Sequence, residues 1–323
     1  MKPRYPGYFT DVPGFKLGNA EDKERATGVT VILAPDGTHA SVEVRGGAPG
    51  TRETDLLKPE NSVQTINAIV LSGGSAFGLD SASGVVKYLA ERNIGFDTGF
   101  RRVPIVPGCV LFDLSVGDSM AFPTADMGYK ACENAVENNT DMGNIGAGCG
   151  ASVGKIHGMS CAMKGGLGQA SLRWGNVIVS AVVAVNALGD IFDFANGNEM
   201  IAGLMNEQGE RLDTVTELSK MAVVPNFDQN GRNTTIAAIA TNAKLDKTGC
   251  LKVSQIAQDG YARAIHPVHT LADGDTIFTL SNGNESADAN VVGVMAAEVI
   301  QRSIVNACIM AENAHDLRAY RDL

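Results

Sequence analysis

The alternation of apolar and polar residues divides the chain into buried strands and amphipathic helices. The strongest signal is Val177–Asn186, where apolar residues occupy nearly every position, a pattern typical of a strand covered on both faces. Shorter apolar runs predict further strands, and apolar residues spaced three or four apart predict helices. The predicted strands lie at 30–34, 41–45, 67–71, from 236 onward and at 276–280, and the predicted helices at about 80–92, 251–265 and 289–314. Strands interleaved with helices in this way indicate stacked layers, with the sheets inside and the helices outside.

One long polar segment interrupts this pattern. Residues 206–232 show no periodicity, so they predict an exposed loop. The loop leads into Asn233, Thr234 and Thr235, and an apolar strand starting at Ile236 follows at once. A residue with a hydroxyl side chain therefore begins a buried strand, directly after a polar segment.

This junction suggests a precursor that cleaves itself between Asn233 and Thr234. The Thr234 hydroxyl can attack the Asn233 carbonyl, move the acyl group from nitrogen to oxygen, and let water release a new N-terminus. The freed α-amine, whose pKa is about 7.7–8.0 in model peptides, can then deprotonate the hydroxyl of the same residue. The simpler interpretation is a turn followed by a strand, since Asn favours turns and Thr favours pleated sheet. Taken alone, these few residues favour that simpler interpretation.

Composition and charge narrow the class of protein. The chain has 323 residues, of which 44% are apolar and 19% charged, as expected for a folded globular protein. Its formal net charge of −10 argues against nucleic acids and anionic membranes as partners, because both attract basic surfaces. The sequence shows no continuous apolar run of membrane-spanning length and no signal-peptide pattern, so we expect a cytoplasmic protein. Six cysteines without CxxC or zinc-ligand spacing predict reduced thiols.

Two glycine-rich segments resemble nucleotide-binding loops without matching them. Residues 73–78 follow a strand and open a helix, but their spacing fits neither the dinucleotide nor the nucleophile-elbow pattern. They are better interpreted as a tight strand-to-helix turn. Residues 148–155 fail the phosphate-loop pattern at two positions, so we predict no nucleotide and no other cofactor. Lys155, which ends the second segment, either is solvated or points into a cleft.

Acidic residues flank a glycine directly before the strand predicted at 276–280. The simpler interpretation of Asp273 and Asp275 is a turn. The functional interpretation is a carboxylate pair at the mouth of the strand that orients an ammonium group. His266 and His269 have no third ligand nearby in the sequence, so no metal site is predicted.

In several long motifs the chain resembles the self-processing N-terminal-nucleophile amidohydrolases. This family includes L-aminopeptidase/D-esterase, the β-peptidyl aminopeptidases and the nylon-oligomer hydrolases. The motifs follow one order over most of the chain, at residues 44–53, 71–79, 146–155, 185–186, 233–236, 240–242 and 269–278. The Asn233–Thr234 junction is similar to that of the nylon-oligomer branch, whereas the peptidase branch has Gly-Ser there. The region around Lys155 lacks the tyrosine used in the peptidase branch, and Lys164 is a rival for the role of that lysine.

The resemblance implies an α+β fold, a four-layer αββα sandwich with the nucleophile at the start of a central strand. It also implies a single hydrolase domain, residues 1–323, which self-cleavage divides into an α piece of residues 1–233 and a β piece of residues 234–323. A homo-oligomer, in the form of a tetramer, is implied in the same way.

The resemblance also assigns roles to individual residues. Thr234 would be the nucleophile, and Asn186 would donate its side-chain amide to the oxyanion, an interaction typically worth about 2.7–4 kcal/mol. Lys155 would stabilise charge near Thr234. Asp273 and Asp275 would orient the Thr234 amine or receive the amino group of the substrate.

Three functions remain open on the sequence. The favoured one is hydrolysis of an amide or ester bond through an acyl-enzyme on Thr234, with small peptides, β-peptides, amino-acid amides or lactam-derived oligomers as substrates. An acetyltransferase of the ornithine type would pass the acyl group to an amine, but the Ala-Thr-Met-Leu cleavage motif of that family is absent. A non-catalytic scaffold of the same fold is disfavoured, because Thr234, Asn186 and Asp275 occur together.

Overall fold

The computed structural model describes residues 1–220 and 233–323. Within these residues the polypeptide forms five α-helices, which are α1 (Ser81–Glu91), α2 (Ala125–Glu133), α3 (Thr214–Lys220), α4 (Lys247–Ala264) and α5 (Ala289–Met310). Asp246 begins α4 by accepting a hydrogen bond from the backbone N–H of Gly249, and Asp288 begins α5 in a similar way. Such caps satisfy amides that have no partner within the helix, which fixes where each helix starts.

Two five-stranded sheets contain most of the β structure of the described residues. The first has the spatial order β1-β2-β5-β8-β4 and consists of β1 (Lys16–Asp22), β2 (Thr27–Leu33), β4 (Gly50–Arg52), β5 (Ala68–Ser72) and β8 (Gly108–Val110). The second has the order β11-β12-β15-β17-β3 and consists of β3 (His39–Val44), β11 (Gly166–Trp174), β12 (Val177–Asn186), β15 (Thr234–Ala243) and β17 (Thr276–Glu285). Short strands form the smaller sheets, namely β6 (Phe96–Asp97), β7 (Arg102–Val103), β9 (Ser152–Val153), β10 (Met163–Lys164), β13 (Asp190–Asp193), β14 (Glu199–Ala202) and β16 (Ile265–His266).

Side chains alternate across the second sheet, so that one face meets helices and the other meets the first sheet. In β15, Ala237 and Ile239 belong to the apolar core under α4 and α5. Their neighbours Ile236 and Ala238 belong to the core between the two sheets. Helices α1 and α2 pack on the outer face of the first sheet. The four layers confirm the predicted αββα sandwich, and the two-sided apolar pattern of β12 follows from them.

The long helix α5 is part of the core. By length and composition it could cross a membrane, but 83% of its most apolar window is buried inside the protein. It packs against α4 and against strands β11 and β12. Packing on the second sheet therefore accounts for its apolar residues.

The segment predicted as an exposed loop, residues 206–232, is partly helical, and the prediction is wrong where α3 lies. The backbone N–H and the hydroxyl of Thr214 both donate to the carboxylate of Asp190, at 2.6 and 2.8 Å. Asp190 lies in β13, so the residue that anchors this helix start is distant in sequence and invisible in the local pattern. The remainder of the predicted loop, residues 221–232, lies outside the described residues.

Strand β11 is missing from the predicted elements because its own sequence is a weak strand signal. It contains two glycines and several polar residues. It nevertheless pairs along its whole length with β12, from Gly166 opposite Val185 to Trp174 opposite Val177. The strongly apolar neighbour therefore determines the conformation of a weakly patterned segment.

Removing an aromatic side chain from the layer between the sheets should destabilise the fold. Phe278 in β17 is fully buried there, and Phe278→Ala should lower the free energy of unfolding by about 3–5 kcal/mol because it leaves a cavity. The control is Phe100→Ala, at a fully exposed phenylalanine, which should change that free energy by less than about 0.5 kcal/mol. Urea unfolding followed by circular dichroism measures both variants. Equal stabilities would contradict this description of the core.

Candidate active site

Three neighbouring strands of the second sheet have an end on the same side of the sheet, and we call this row of strand ends its edge. Strand β12 runs antiparallel to β15 and ends at Asn186, which pairs with Thr234, the first residue of β15. Strand β17 runs parallel to β15 and begins at Thr276, so the turn that precedes it lies beside the same strand end. Thr234 is only 4% exposed. The topology thus brings the predicted nucleophile, Asn186 and the acidic turn into one place.

The carbonyl oxygen of Asn233 accepts two hydrogen bonds in the continuous chain. One comes from the backbone N–H of Gly274 at 3.0 Å, and the other comes from the hydroxyl of Thr234 itself. The backbone N–H of Asn233 donates to the carbonyl of Ala272 at 3.1 Å, which sets Asn233 in a parallel bridge with Asp273. The Thr234 hydroxyl therefore touches the carbonyl group that it would attack, and a backbone N–H polarises that group.

Gly274 approaches the hydroxyl too closely to carry a side chain. A β-carbon at this position would lie 2.8 Å from Oγ1 of Thr234 and 2.9 Å from the carbonyl oxygen of Ala48. Both separations are shorter than real contacts of a β-carbon allow. A glycine between the two acidic residues is therefore what lets the turn reach the cleavage junction.

Both carboxylates of the turn are buried and hydrogen-bonded. Asp275 accepts from the backbone N–H of Thr235 at 2.8 Å and from the ring Nδ1 of His269 at 2.9 Å. Asp273 accepts from the backbone N–H and the hydroxyl of Thr270, at 2.7 and 2.6 Å. Burial, reinforced by the negative charge of Asp275, raises the pKa of Asp273 to about 6. The pair therefore fixes the residue after Thr234 and keeps a titratable acid next to it.

Lys155 contacts the strand partner of Thr234. Its ammonium donates to the backbone carbonyl of Asn186 at 3.1 Å and to the side-chain Oδ1 at 2.9 Å. Burial lowers the pKa of Lys155 to about 7, and nearby carboxylates, with Asp273 the strongest, oppose that shift. A buried lysine with this pKa can exchange its proton near neutral pH, which suits acid–base chemistry.

The side-chain amide of Asn186 links three segments. Its Nδ2 donates to the carbonyl of Phe112 at 2.8 Å. Its Oδ1 accepts from the backbone N–H of Ser152 at 3.1 Å as well as from Lys155. The structure therefore puts Asn186 beside the junction, and its role as oxyanion donor stays a prediction.

Lys164, the rival lysine, is buried in a different set of contacts. Its ammonium donates to the backbone carbonyls of Gly148, Ala151 and Gly165, at 3.1, 2.7 and 3.1 Å. Three acceptors use all three N–H groups of an ammonium. Lys164 therefore ties loop backbone together, while Lys155 is the lysine that reaches the edge where Thr234 lies.

A cavity of about 300 Å³ opens beside Thr234. Its described lining is free of charged side chains and consists of Asn233, Thr234, Ala48, Pro49, Gly50, Ser75, Ala76, Val110, Leu111 and Phe112. Ser75 and Ala76 belong to the glycine-rich segment, which forms a tight strand-to-helix turn with Gly74 at a φ of 77°. A larger cavity of about 540 Å³ lies near the ends of α1 and α2 and shares none of these residues, so we place the site at the smaller cavity.

Two partners of the site, the partly buried His269 and the buried Asp113, were missed by the sequence analysis. His269, considered there only as a metal ligand, holds Asp275 across the turn. Asp113 accepts from the backbone N–H of Gly74 and from the hydroxyl of Thr27, and burial raises its pKa to about 6. Asp113 lies outside the motifs named above, whereas His269 begins the motif at residues 269–278, which by itself gave this histidine no role. Across residues 1–220 and 233–323, no group of three or more His, Cys, Asp or Glu side chains is placed to hold a metal ion.

The chain is similar to known proteins over most of its length. The family model described as peptidase family S58 matches residues 8–320. An uncharacterized aminopeptidase of Mycobacterium leprae is 38% identical, with 96% of this chain and 92% of the relative covered. A 6-aminohexanoate-oligomer endohydrolase of Kocuria sp. is 33% identical, with 92% of this chain and 84% of the relative covered.

Two solved structures share the fold at low sequence identity. A Burkholderia sp. beta-aminopeptidase matches with a TM-score of 0.71 at 20% identity, covering 99% of this chain and 91% of the other. The L-aminopeptidase D-Ala-esterase/amidase of Ochrobactrum anthropi, described as a variant of the Ntn hydrolase fold, matches with a TM-score of 0.69 at 18% identity, covering 97% and 89%.

The four layers, with Thr234 buried at the start of a central strand, place the chain in the class of Ntn hydrolase folds. Within that class, the chain belongs to peptidase family S58. This confirms the resemblance that the sequence motifs indicated.

The buried ammonium of Lys155 should make stability depend on pH above neutrality. Because its pKa falls from 10.5 to about 7 on burial, the folded state binds fewer protons than the unfolded state between those values, so this group makes stability rise with pH in that range. Lys155→Met should flatten the rise, while Lys252→Met, at an exposed lysine, should leave it unchanged. Urea unfolding at pH 7, 8.5 and 10 measures the effect, and parallel curves for wild type and Lys155→Met would refute it.

Proposed function

We propose that the chain is a proenzyme that cleaves itself between Asn233 and Thr234, and that the mature protein is an amidohydrolase with Thr234 as its N-terminal nucleophile. The observation that carries this proposal is the contact between the Thr234 hydroxyl and the Asn233 carbonyl oxygen. The same oxygen receives the backbone N–H of Gly274. A hydroxyl and a polarised carbonyl in contact are the two reactants of an acyl shift.

Maturation then follows in two steps. Oγ1 of Thr234 adds to the carbonyl carbon of Asn233 and loses its proton to a base, a role that we assign to Lys155. The bond from that carbon to the Thr234 nitrogen breaks, the nitrogen takes a proton, and an ester joins Asn233 to Thr234. Water hydrolyses the ester, which leaves a carboxylate on Asn233 and a free amine on Thr234.

Turnover of substrates repeats this chemistry with an external acyl group. The freed amine of Thr234, with an ordinary pKa of about 7.7–8.0, takes the proton of the Thr234 hydroxyl as it attacks the substrate amide or ester. The departing amine or alcohol takes that proton, and water then releases the acyl group from the ester. Asp275 supports the geometry by holding the N–H of Thr235.

The substrates that we propose are small peptides, β-peptides, amino-acid amides or esters and lactam-derived oligomers. Support comes from relatives named as an aminopeptidase and as a 6-aminohexanoate-oligomer endohydrolase. Both names describe hydrolases, which favours water over an amine as the final acyl acceptor. The small cavity beside Thr234 suits a compact acyl group.

Replacing the nucleophile should stop both reactions. Thr234→Ala removes the hydroxyl that contacts the Asn233 carbonyl and should leave a full-length chain without amidase activity. Thr234→Ser keeps a hydroxyl and is the matched control, which should still be cleaved. Intact mass spectrometry of purified protein detects a fragment that begins at residue 234, and p-nitroanilide hydrolysis reports turnover. Cleavage of Thr234→Ala at the same bond would require another nucleophile.

A further inference from the structure

Resting on the proposed self-cleavage, we infer that the backbone of residues 272–274 is the acyl-binding subsite of the mature enzyme. In this subsite the N–H of Gly274 donates to the acyl oxygen, and the carbonyl of Ala272 accepts from a nitrogen on the adjacent carbon. Among the substrates proposed above, the enzyme therefore prefers those with an α-aminoacyl group, whether its nitrogen is free or acylated, over β-peptides and lactam-derived oligomers.

The first support is the way in which Asn233 is held. Its N–H donates to the Ala272 carbonyl at 3.1 Å, and its carbonyl oxygen accepts from the Gly274 N–H at 3.0 Å. These two bonds form a parallel β-bridge between Asn233 and Asp273. In a parallel bridge, the N–H and the C=O of one residue both bond to the neighbouring strand. The distance between these two groups is fixed by the backbone of an α-amino acid, so only an α-aminoacyl group places its nitrogen and its carbonyl oxygen in the same way.

The second support is that self-cleavage and substrate turnover form the same kind of intermediate. Self-cleavage and substrate turnover both pass through an ester on the same Thr234 oxygen. The acyl group of that ester is Asn233 in the first reaction and the substrate in the second. The position of Asn233 in the continuous chain therefore marks where the acyl group of a substrate lies.

The third support is the free-energy cost of leaving the backbone groups of the subsite without hydrogen-bond partners. Ala272 and Gly274 are both buried, so departure of Asn233 leaves a buried carbonyl and a buried N–H without this partner. A ligand that restores both hydrogen bonds is favoured over one that restores only one. In β-aminoacyl and 6-aminohexanoyl groups the nitrogen is further from the carbonyl. It therefore cannot donate to the Ala272 carbonyl while the acyl oxygen accepts from the Gly274 N–H.

Charge is not what this subsite reads. The nitrogen of Asn233 is an uncharged amide, because the preceding residue acylates it, and it still donates to Ala272. The N–H of Gly274 already donates to the carbonyl oxygen of Asn233, whereas the hydrogen bond that the structure shows from the Asn186 amide goes to the carbonyl of Phe112. The acyl oxygen is thus bound by the backbone of the turn.

A substrate series on the wild-type mature enzyme tests the subsite without any risk of misfolding. The p-nitroanilides of L-alanine, N-acetyl-L-alanine, propanoic acid, 3-aminopropanoic acid and 6-aminohexanoic acid differ in the presence, charge and position of the nitrogen. Both alanyl compounds should exceed the other three in kcat/KM by about tenfold or more, since one hydrogen bond to a buried group is lost in the others.

Each other outcome has a definite meaning. Equal or faster hydrolysis of the propanoyl, 3-aminopropanoyl or 6-aminohexanoyl compound would overturn the subsite while leaving the proposed function intact. Hydrolysis of the alanyl but not the N-acetylalanyl compound would overturn it as well, because recognition would then depend on charge. No hydrolysis of any of the five by protein that begins at Thr234 would overturn the proposed function itself.

Removal of the single N–H of Gly274 tests its part directly. Ligation at Cys250 can join residues 1–249 to a synthetic segment 250–323 in which glycolic acid replaces Gly274, so that an ester oxygen replaces the N–H. Self-cleavage should slow by about 10²–10³-fold, the usual effect of losing one oxyanion donor. Glycolic acid at Gly293 in α5, outside the site, is the matched control and should cleave like the all-amide protein. Equal rates for the two ester proteins would overturn the assignment to Gly274.

Discussion

The pairing of β15 between β12 and β17 is the constraint on which the rest of the site depends. An antiparallel neighbour ends where β15 begins, and a parallel neighbour begins there too, so Asn186, Thr234 and the turn at 273–275 share one edge. Backbone hydrogen bonds set their spacing. A register shift of one residue would turn Thr234 to the face covered by helices and remove it from the cavity. The register of the sheet therefore fixes the relative positions of the site residues.

Burial of charge is the second consequence of this arrangement. Lys155, Lys164, Asp113 and Asp273 are almost inaccessible to solvent, and burial shifts the pKa of each toward its neutral form. Isolated ions in such places cost several kcal/mol. Hydrogen bonds offset that cost differently for the two lysines. Lys164 donates all three of its N–H groups to loop carbonyls, whereas Lys155 is held by Asn186, the residue opposite Thr234.

The fold tolerates wide divergence around a constant strand arrangement. Structures at about 20% identity keep a TM-score near 0.7, although their names describe different substrates. A fold of this kind does not by itself define what is hydrolysed. The groups around the substrate decide that, and in this chain the groups that contact Asn233 include backbone groups of a turn held in place by Asp273, Asp275 and their partners Thr270 and His269. Contacts made by backbone groups do not depend on a particular side chain, so the sequence gives little indication of them.

The sequence alone determined the layers and the junction. The two-sided apolar pattern of Val177–Asn186 indicated a strand between layers, and the polar residues before Thr234, followed by an apolar strand, indicated the junction there, because both signals are local. Tertiary structure alone decided the contact of Lys155 with Asn186, the contacts of Lys164 with loop carbonyls, the partnership of His269 with Asp275 and the approach of Gly274. It also decided the helix α3, whose start is held by Asp190 from another strand. These features depend on contacts between residues that are distant in the chain, and such contacts form only when the sheet register brings them together.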